Sequence, residues 1–134
     1  MEKVLFICTH NSARSQMAEG LVNHLLAGRY IAYSAGTEPT DVNSYAVQVM
    51  AEIGIDISSH RSKSIDEFRE ERFDYVITVC DHAKEVCPYF PGGEQIHKGF
   101  EDPSVSQGTD EEILSHFRKA RDEIREWVID PSGF

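Results

Sequence analysis

The sequence predicts an α/β fold, a parallel four-stranded sheet flanked by helices on both faces. Three observations carry this. Short apolar runs rich in β-branched and aromatic residues alternate with longer stretches whose apolar residues recur at helical spacing. No repeat, low-complexity segment or Pro/Gly/Ser-rich linker interrupts the alternation. The 134 residues are 40% hydrophobic and 27% charged, which suits one soluble globular domain spanning 1–134.

The elements follow in order. Lys3 to Ile7 is a compact apolar run and reads as a buried strand. Ser15 to Ala27 places Met17, Ala18, Leu21, Val22, Leu25 and Leu26 on a helical stripe. Tyr30 to Ala35 is a second strand, closed by Gly36. Asn43 to Ile53 is helical, and Gly54 stands where a helix C-terminus accepts left-handed backbone. Ser64-Ile65-Asp66-Glu67 has the pattern of a capping box opening a short helix. Phe73 to Val79 is the clearest strand, and Gln95 to Phe100 a short last one. Thr109 and Glu112 form a second capping box. It opens a long helix with Ile113, Phe117, Ala120, Ile124 and Trp127 or Val128 on one face.

Charge excludes several function classes. Thirteen basic against 23 acidic residues leave a net charge of −10, so neither nucleic acid nor an anionic membrane is an expected partner. No apolar stretch approaches the ~20 residues of a membrane span. The apolar run Val4–Ile7 is shorter than the ~7 residues of a signal-peptide core. Three cysteines, an odd number, argue against a secreted disulfide scaffold. A reducing cytoplasm is the expected setting, and a monomer the expected state.

Parallel sheets bind ligands at the carboxyl ends of their strands. The first strand runs directly into Cys8-Thr9-His10-Asn11-Ser12-Ala13-Arg14-Ser15, where a helix begins. Such a loop can turn backbone N–H groups inward at a helix N-terminus, which favours a bound anion. Thr9 through Ser15 are therefore the oxyanion-binding candidates. Arg14 adds a planar fork matched to a tetrahedral oxyanion. Cys8, at the mouth of this positive cradle, is a candidate thiolate nucleophile. Asn11 and Ser15 can hydrogen-bond the loop or the sulfur. The competing reading makes Cys8 a core thiol and Arg14 a surface residue, but strand, Cys-x5-Arg-Ser and helix occur in the order the chemistry needs.

Cys80 ends the central FDYVITV strand, and Cys87 lies seven positions on, before Pro88. In a parallel sheet Cys80 would open onto the same edge as Cys8. A regular helix over 80–87 would separate the two Cα atoms by ~10.5 Å, too far for the ~7 Å limit of a disulfide. A bridge there would need irregular backbone. Two alternatives remain: a metal site from Cys80, His82, Cys87 and His97, whose spacing is not a usual zinc pattern, or plain structural thiols. No cofactor or resident metal is expected. His10 lies in the loop beside the anion, while His24, His60 and His116 read as surface residues.

CTHNSARSQMAEG (8–20) resembles the loop of the low-molecular-weight tyrosine phosphatase fold, and more closely that of the thioredoxin-coupled arsenate reductases built on it. YSAGTEP (33–39), EIGIDIS (52–58), VITVCDHAKEVCPYFPG (76–92) and HKGFEDP (97–103) extend the resemblance over nearly the whole chain. It implies arsenate as substrate, with phosphate or sulfate as competing anions. It also implies a cascade: Cys8 attacks arsenate, Cys80 attacks Cys8 and releases arsenite, and Cys87 attacks Cys80. Thioredoxin then reduces the final Cys80–Cys87 disulfide. Asp102, before Pro103, is implied as the proton donor to the leaving oxygen. The alternative function is a tyrosine or small-ester phosphatase. That pocket usually carries aromatics beside the Asp-Pro loop, where Ser104 and Val105 follow here. Some reductases of this kind hold potassium with ligands matching Asn11, Glu19 and Ser34. Lys63 replaces a further acidic ligand, so no potassium dependence is expected.

Overall fold

The computed structural model describes residues 1–81 and 89–130. Its strands are β1 (Glu2–Cys8), β2 (Tyr30–Gly36), β3 (Tyr75–Thr78) and β4 (Glu94–His97). They form one parallel sheet in the order β2-β1-β3-β4. β1 is central and fully apolar from Val4 to Ile7, as a strand covered on both faces must be. The order reverses at β1, since β2 lies on one side and β3 on the other. The loop after β1 therefore opens at the switch point where such sheets bind ligands.

Alternation along β1 divides the core. Val4 and Phe6 face a layer built from α1 (Arg14–Leu25), α2 (Ser44–Ala51) and α3 (Asp110–Ile129). Leu5 and Ile7 face a smaller cluster with Ile65 and Phe68 of a 3-10 helix, and with Phe73 and Phe90. Helical cover on both faces is as the sequence predicts. On the first face Phe117, Ala120, Ile124 and Val128 of α3 are buried, the stripe read from their spacing.

The ends obey local rules. Thr109 and Glu112 make the reciprocal capping box that opens α3. Gly54 has φ of 79°, its N–H reaches Ala51 O, and Ile55 N–H reaches Met50 O, which is the Schellman closure of α2. The box expected at Ser64 is only half formed. Ser64 Oγ accepts from Asp66 N–H and not from Glu67 N–H, and the Glu67 carboxylate is held chiefly by Arg61, with the Ser64 backbone a lesser partner. A bidentate guanidinium is the stronger partner. The last two strands are shorter than their apolar runs. β3 ends at Thr78, and residues 98–100 leave β4 as a strap, Lys98 N–H on Thr78 O and Phe100 N–H on Val79 O.

Candidate active site

Cys8 closes β1 and Arg14 opens α1, so the loop between them is fixed at both ends. Its carbonyls are all engaged away from the loop's interior. Thr9 O accepts from Glu38 N–H at 2.9 Å, His10 O from Thr40 N–H at 3.3 Å and Ser12 O from Asn43 N–H at 2.9 Å. Asn11 O takes the Gln16 side-chain amide at 3.2 Å. Each peptide whose carbonyl is held outward presents its N–H to the other side. A ring of donors toward a common centre is the geometry of an anion-binding nest. Asn11 supplies the bend, at φ of 51°, a left-handed conformation that asparagine tolerates better than most residues. Ala13 at the start of α1 offers no side-chain cap, and the first turn carries no acid. The helix N-terminus is thus left to act on an anion.

The strap over residues 36–43 was not legible as a loop-holding element. Gly36 explains its closeness: a Cβ there would lie 2.4 Å from Thr9 O and 2.8 Å from Cys8 O. Only glycine lets β2 end against the loop.

Cys8 is buried and is a free thiol. Its sulfur is 2.8 Å from Ser15 Oγ, which accepts from the Asn11 amide at 2.7 Å. With one lone pair used by Asn11, the hydroxyl hydrogen is free to point at the sulfur, an arrangement that suits a sulfur anion. Arg14 is 3% exposed. Its Nη1 donates to Phe100 O at 3.3 Å, and its Nη2 lies 3.4 Å from Asp102 Oδ2. The strap after β4 thus brings Asp102 to the same loop. Asp102 also accepts from Ser104 through Oδ1.

Of the remaining site candidates, Cys80 is buried just past Thr78, the partner of Ile7 in the sheet, so it stands at the same edge as Cys8. Cys80 is disulfide-bonded. Cys87 lies outside the described residues, as does His82 of the alternative metal set, and so does the expectation of irregular backbone over 80–87. His10 is exposed, and its Nδ1–H donates to Glu38 O at 3.0 Å. His97 Nδ1 is 2.9 Å from Thr78 Oγ1.

His60 corrects its reading as a surface residue. Its Nδ1 is 3.0 Å from Gln16 Oε1 and 3.3 Å from Glu19 Oε2, with the side chain 20% exposed. Packing of the 57–63 segment on α1 brings it inward, which no local pattern could signal. Gln16 was missed for the same reason: it bridges Asn11, Arg61 and His60. Glu19 is buried, accepts from Ser34 Oγ at 2.7 Å, and faces Lys63 Nζ at 3.6 Å. Lys63 Nζ also donates to Arg61 O at 3.0 Å. A potassium ion would have to share that carboxylate and carbonyl with an ammonium already there. The residues present do not fit a potassium site.

Comparison with known proteins bears on this arrangement. Residues 3–130 match the family model described as low molecular weight phosphotyrosine protein phosphatase. The chain belongs to that family. Within it, the chain is 49% identical over 122 residues to an arsenate reductase of Halalkalibacterium halodurans, covering 90% of this chain and 88% of that one. Among solved structures, an arsenate reductase in the phosphate binding state is similar, with a TM-score of 0.81 and 36% identity, covering 96% of this chain and 94% of the other. A thioredoxin-dependent arsenate reductase of Corynebacterium glutamicum matches with a TM-score of 0.65 and 30% identity, over 94% of this chain and 59% of that one. The parallel sheet is therefore that of the phosphatase family, and named arsenate reductases are among the proteins this chain is similar to.

Proposed function

We propose that this member of the phosphatase family reduces arsenate to arsenite with thioredoxin as electron donor. The observation that carries the reading is a free, buried Cys8 at the start of a loop that ends on the buried Arg14 and whose carbonyls are held by neighbouring segments, with a second cysteine, Cys80, at the same sheet edge. A phosphatase needs the first half of this set; only a reductase uses the second. Similarity to named arsenate reductases supports the same choice.

The oxyanion seats on the N–H ring and the Arg14 fork, and phosphate or sulfate competes for the same place. Cys8 thiolate attacks arsenic, and Asp102 protonates the departing oxygen, which leaves as water. Once thioredoxin has reduced the disulfide that holds Cys80 in this structure, the Cys80 thiolate attacks the Cys8 sulfur. The S–As electron pair passes to arsenic, which falls from As(V) to As(III) and leaves as arsenite. A Cys8–Cys80 disulfide remains. Cys87 attacks Cys80, freeing Cys8 and leaving Cys80–Cys87 for thioredoxin to reduce. Ser15 and Asn11 stabilise the Cys8 thiolate at the start and again when it is released.

The deciding experiment is arsenite release from arsenate by the full chain, with thioredoxin and its reductase, glutaredoxin or a small thiol supplied in separate reactions. Turnover with thioredoxin is expected. Hydrolysis of aryl phosphates with no arsenite under any donor would overturn the reading in favour of a phosphatase.

A further inference from the structure

We propose that Ser104 is the positioning residue for the acid, and that it assigns the transferable proton to Oδ2 of Asp102. The inference rests on Asp102 being the proton donor, as proposed above. The two carboxylate oxygens stand in unlike surroundings. Oδ1 accepts from the Ser104 backbone N–H at 2.9 Å and from the Ser104 hydroxyl at 2.6 Å. Oδ2 lies 3.4 Å from Arg14 Nη2. A proton on Oδ1 would face two donors and displace one of them, so Oδ2 carries it. Oδ2 is also the oxygen beside the guanidinium that holds the anion, hence the one within reach of the departing oxygen.

The hydroxyl adds what the backbone cannot. The N–H contact is the cap of the short 3-10 turn Pro103–Val105, and most residues at 104 would keep it. One donor alone leaves the carboxylate free to turn. There is room for that: Asp102 lines a cavity of about 200 Å³ with Val105, His116 and Ala120 among its walls. Two donors on Oδ1 fix the plane of the group. They also keep Asp102 from closing on Arg14 as a two-oxygen, two-nitrogen fork. That fork is the preferred form of an arginine–carboxylate pair, and it would cover the guanidinium edge the anion needs.

The test is a double-mutant cycle on kcat for arsenite release by the full chain with thioredoxin, using Ser104→Ala, Asp102→Asn and both together. Asp102→Asn keeps an oxygen for Ser104 to bond, and so the turn, but removes the proton. It should lower kcat about a hundredfold or more, the low end of general-acid contributions. Ser104→Ala should lower kcat about tenfold in the wild-type background, as loss of a hydrogen bond to a charged group would, and less than about twofold beside Asp102→Asn. Ser104→Thr, which restores the hydroxyl, should recover the rate. An equal loss in both backgrounds would reduce Ser104 to a structural part of the turn and overturn the proposal. So would an unchanged Ser104→Ala, a Thr variant that fails to recover, or an Asp102→Asn that keeps full rate. The same cycle is run on hydrolysis of phenyl phosphate, which needs the acid but not Cys80. Phosphatase activity without arsenite would overturn the reductase reading and leave this second cycle to decide Ser104. A wild type inactive in both would overturn both.

Discussion

Cys8, Arg14 and Lys63 carry the predictions that belong to single side chains. Cys8→Ser should abolish arsenite release and any ester hydrolysis, since both need the sulfur nucleophile. Arg14→Lys should lose at least about a hundredfold in kcat/KM, because an ammonium on a flexible stem cannot reproduce a fork anchored on Phe100 O. Steady-state assays check both, and near-normal turnover in either would mean the loop does not hold the substrate. Lys63 acts through charge. Its ammonium faces the buried Glu19 carboxylate, with the two side chains 12% and 11% exposed. Exchanging sodium for potassium chloride at constant ionic strength should leave turnover and melting temperature unchanged. Lys63→Gln should lower the melting temperature, because it strips the ammonium from a buried carboxylate. A clear rise in wild-type activity with potassium would sink the idea that this charge is built in.

Between elements, one contact bears on the site and another ties two helices together. The end of β2 touches the loop only because residue 36 has no side chain. Gly36→Ala must push Thr9 O or the strand away, and a displacement near 1 Å at a catalytic loop costs about a hundredfold in rate. The expected result is a folded protein, by circular dichroism, with kcat/KM reduced on that scale. The second contact joins α2 to α3. Glu52, at the end of α2, bonds Arg118 at 2.8 Å and Arg121 at 2.8 Å, and Arg121 also reaches Val49 O. The Arg118 hydrogen bonds hold the Glu52 carboxyl below its ordinary value, with Arg121 adding to the effect. A depressed carboxyl stabilises the fold above its unfolded value of 4.5 and loses that contribution as pH falls through the lower folded value. Thermal melts from pH 6 down to 3 should therefore show a smaller loss of stability in Glu52→Gln than in the wild type. Parallel curves would mean the pair is too well solvated to matter.

For the molecule as a whole, the test is whether three cysteines on different segments act in sequence. Cys80→Ala should lose arsenate reduction and keep whatever phosphate-ester hydrolysis the wild type has, because hydrolysis needs only Cys8, Arg14 and Asp102. Cys87→Ser should release one equivalent of arsenite and stop, trapped as a Cys8–Cys80 disulfide that non-reducing peptide mapping identifies. Wild type that has first been fully reduced and freed of reductant, then treated with arsenate, should instead carry Cys80–Cys87 with Cys8 free. Cys8 free and Cys80 unpaired after that treatment would remove the cascade and leave the phosphatase.

What the sequence determined by itself was local and periodic. A compact apolar run marked β1, helical spacing marked the buried stripe of α3, and the cap residues Thr109 and Gly54 marked where helices begin and end. The Cys8–Arg14 loop was legible because its chemistry is contiguous: nucleophile, N–H donors, guanidinium and helix start lie in eight successive positions. Tertiary structure alone decided what comes from elsewhere in the chain. The strap that holds the loop carbonyls outward is 29 or more residues away. His60 reaches Gln16 across 44 positions, and Asp102 reaches Arg14 only because the strap after β4 crosses the ends of β3 and β1. Hydrogen-bond partners of this kind are set by which strand ends meet at the sheet edge. That is a property of strand order and crossover, and no short window of residues encodes it.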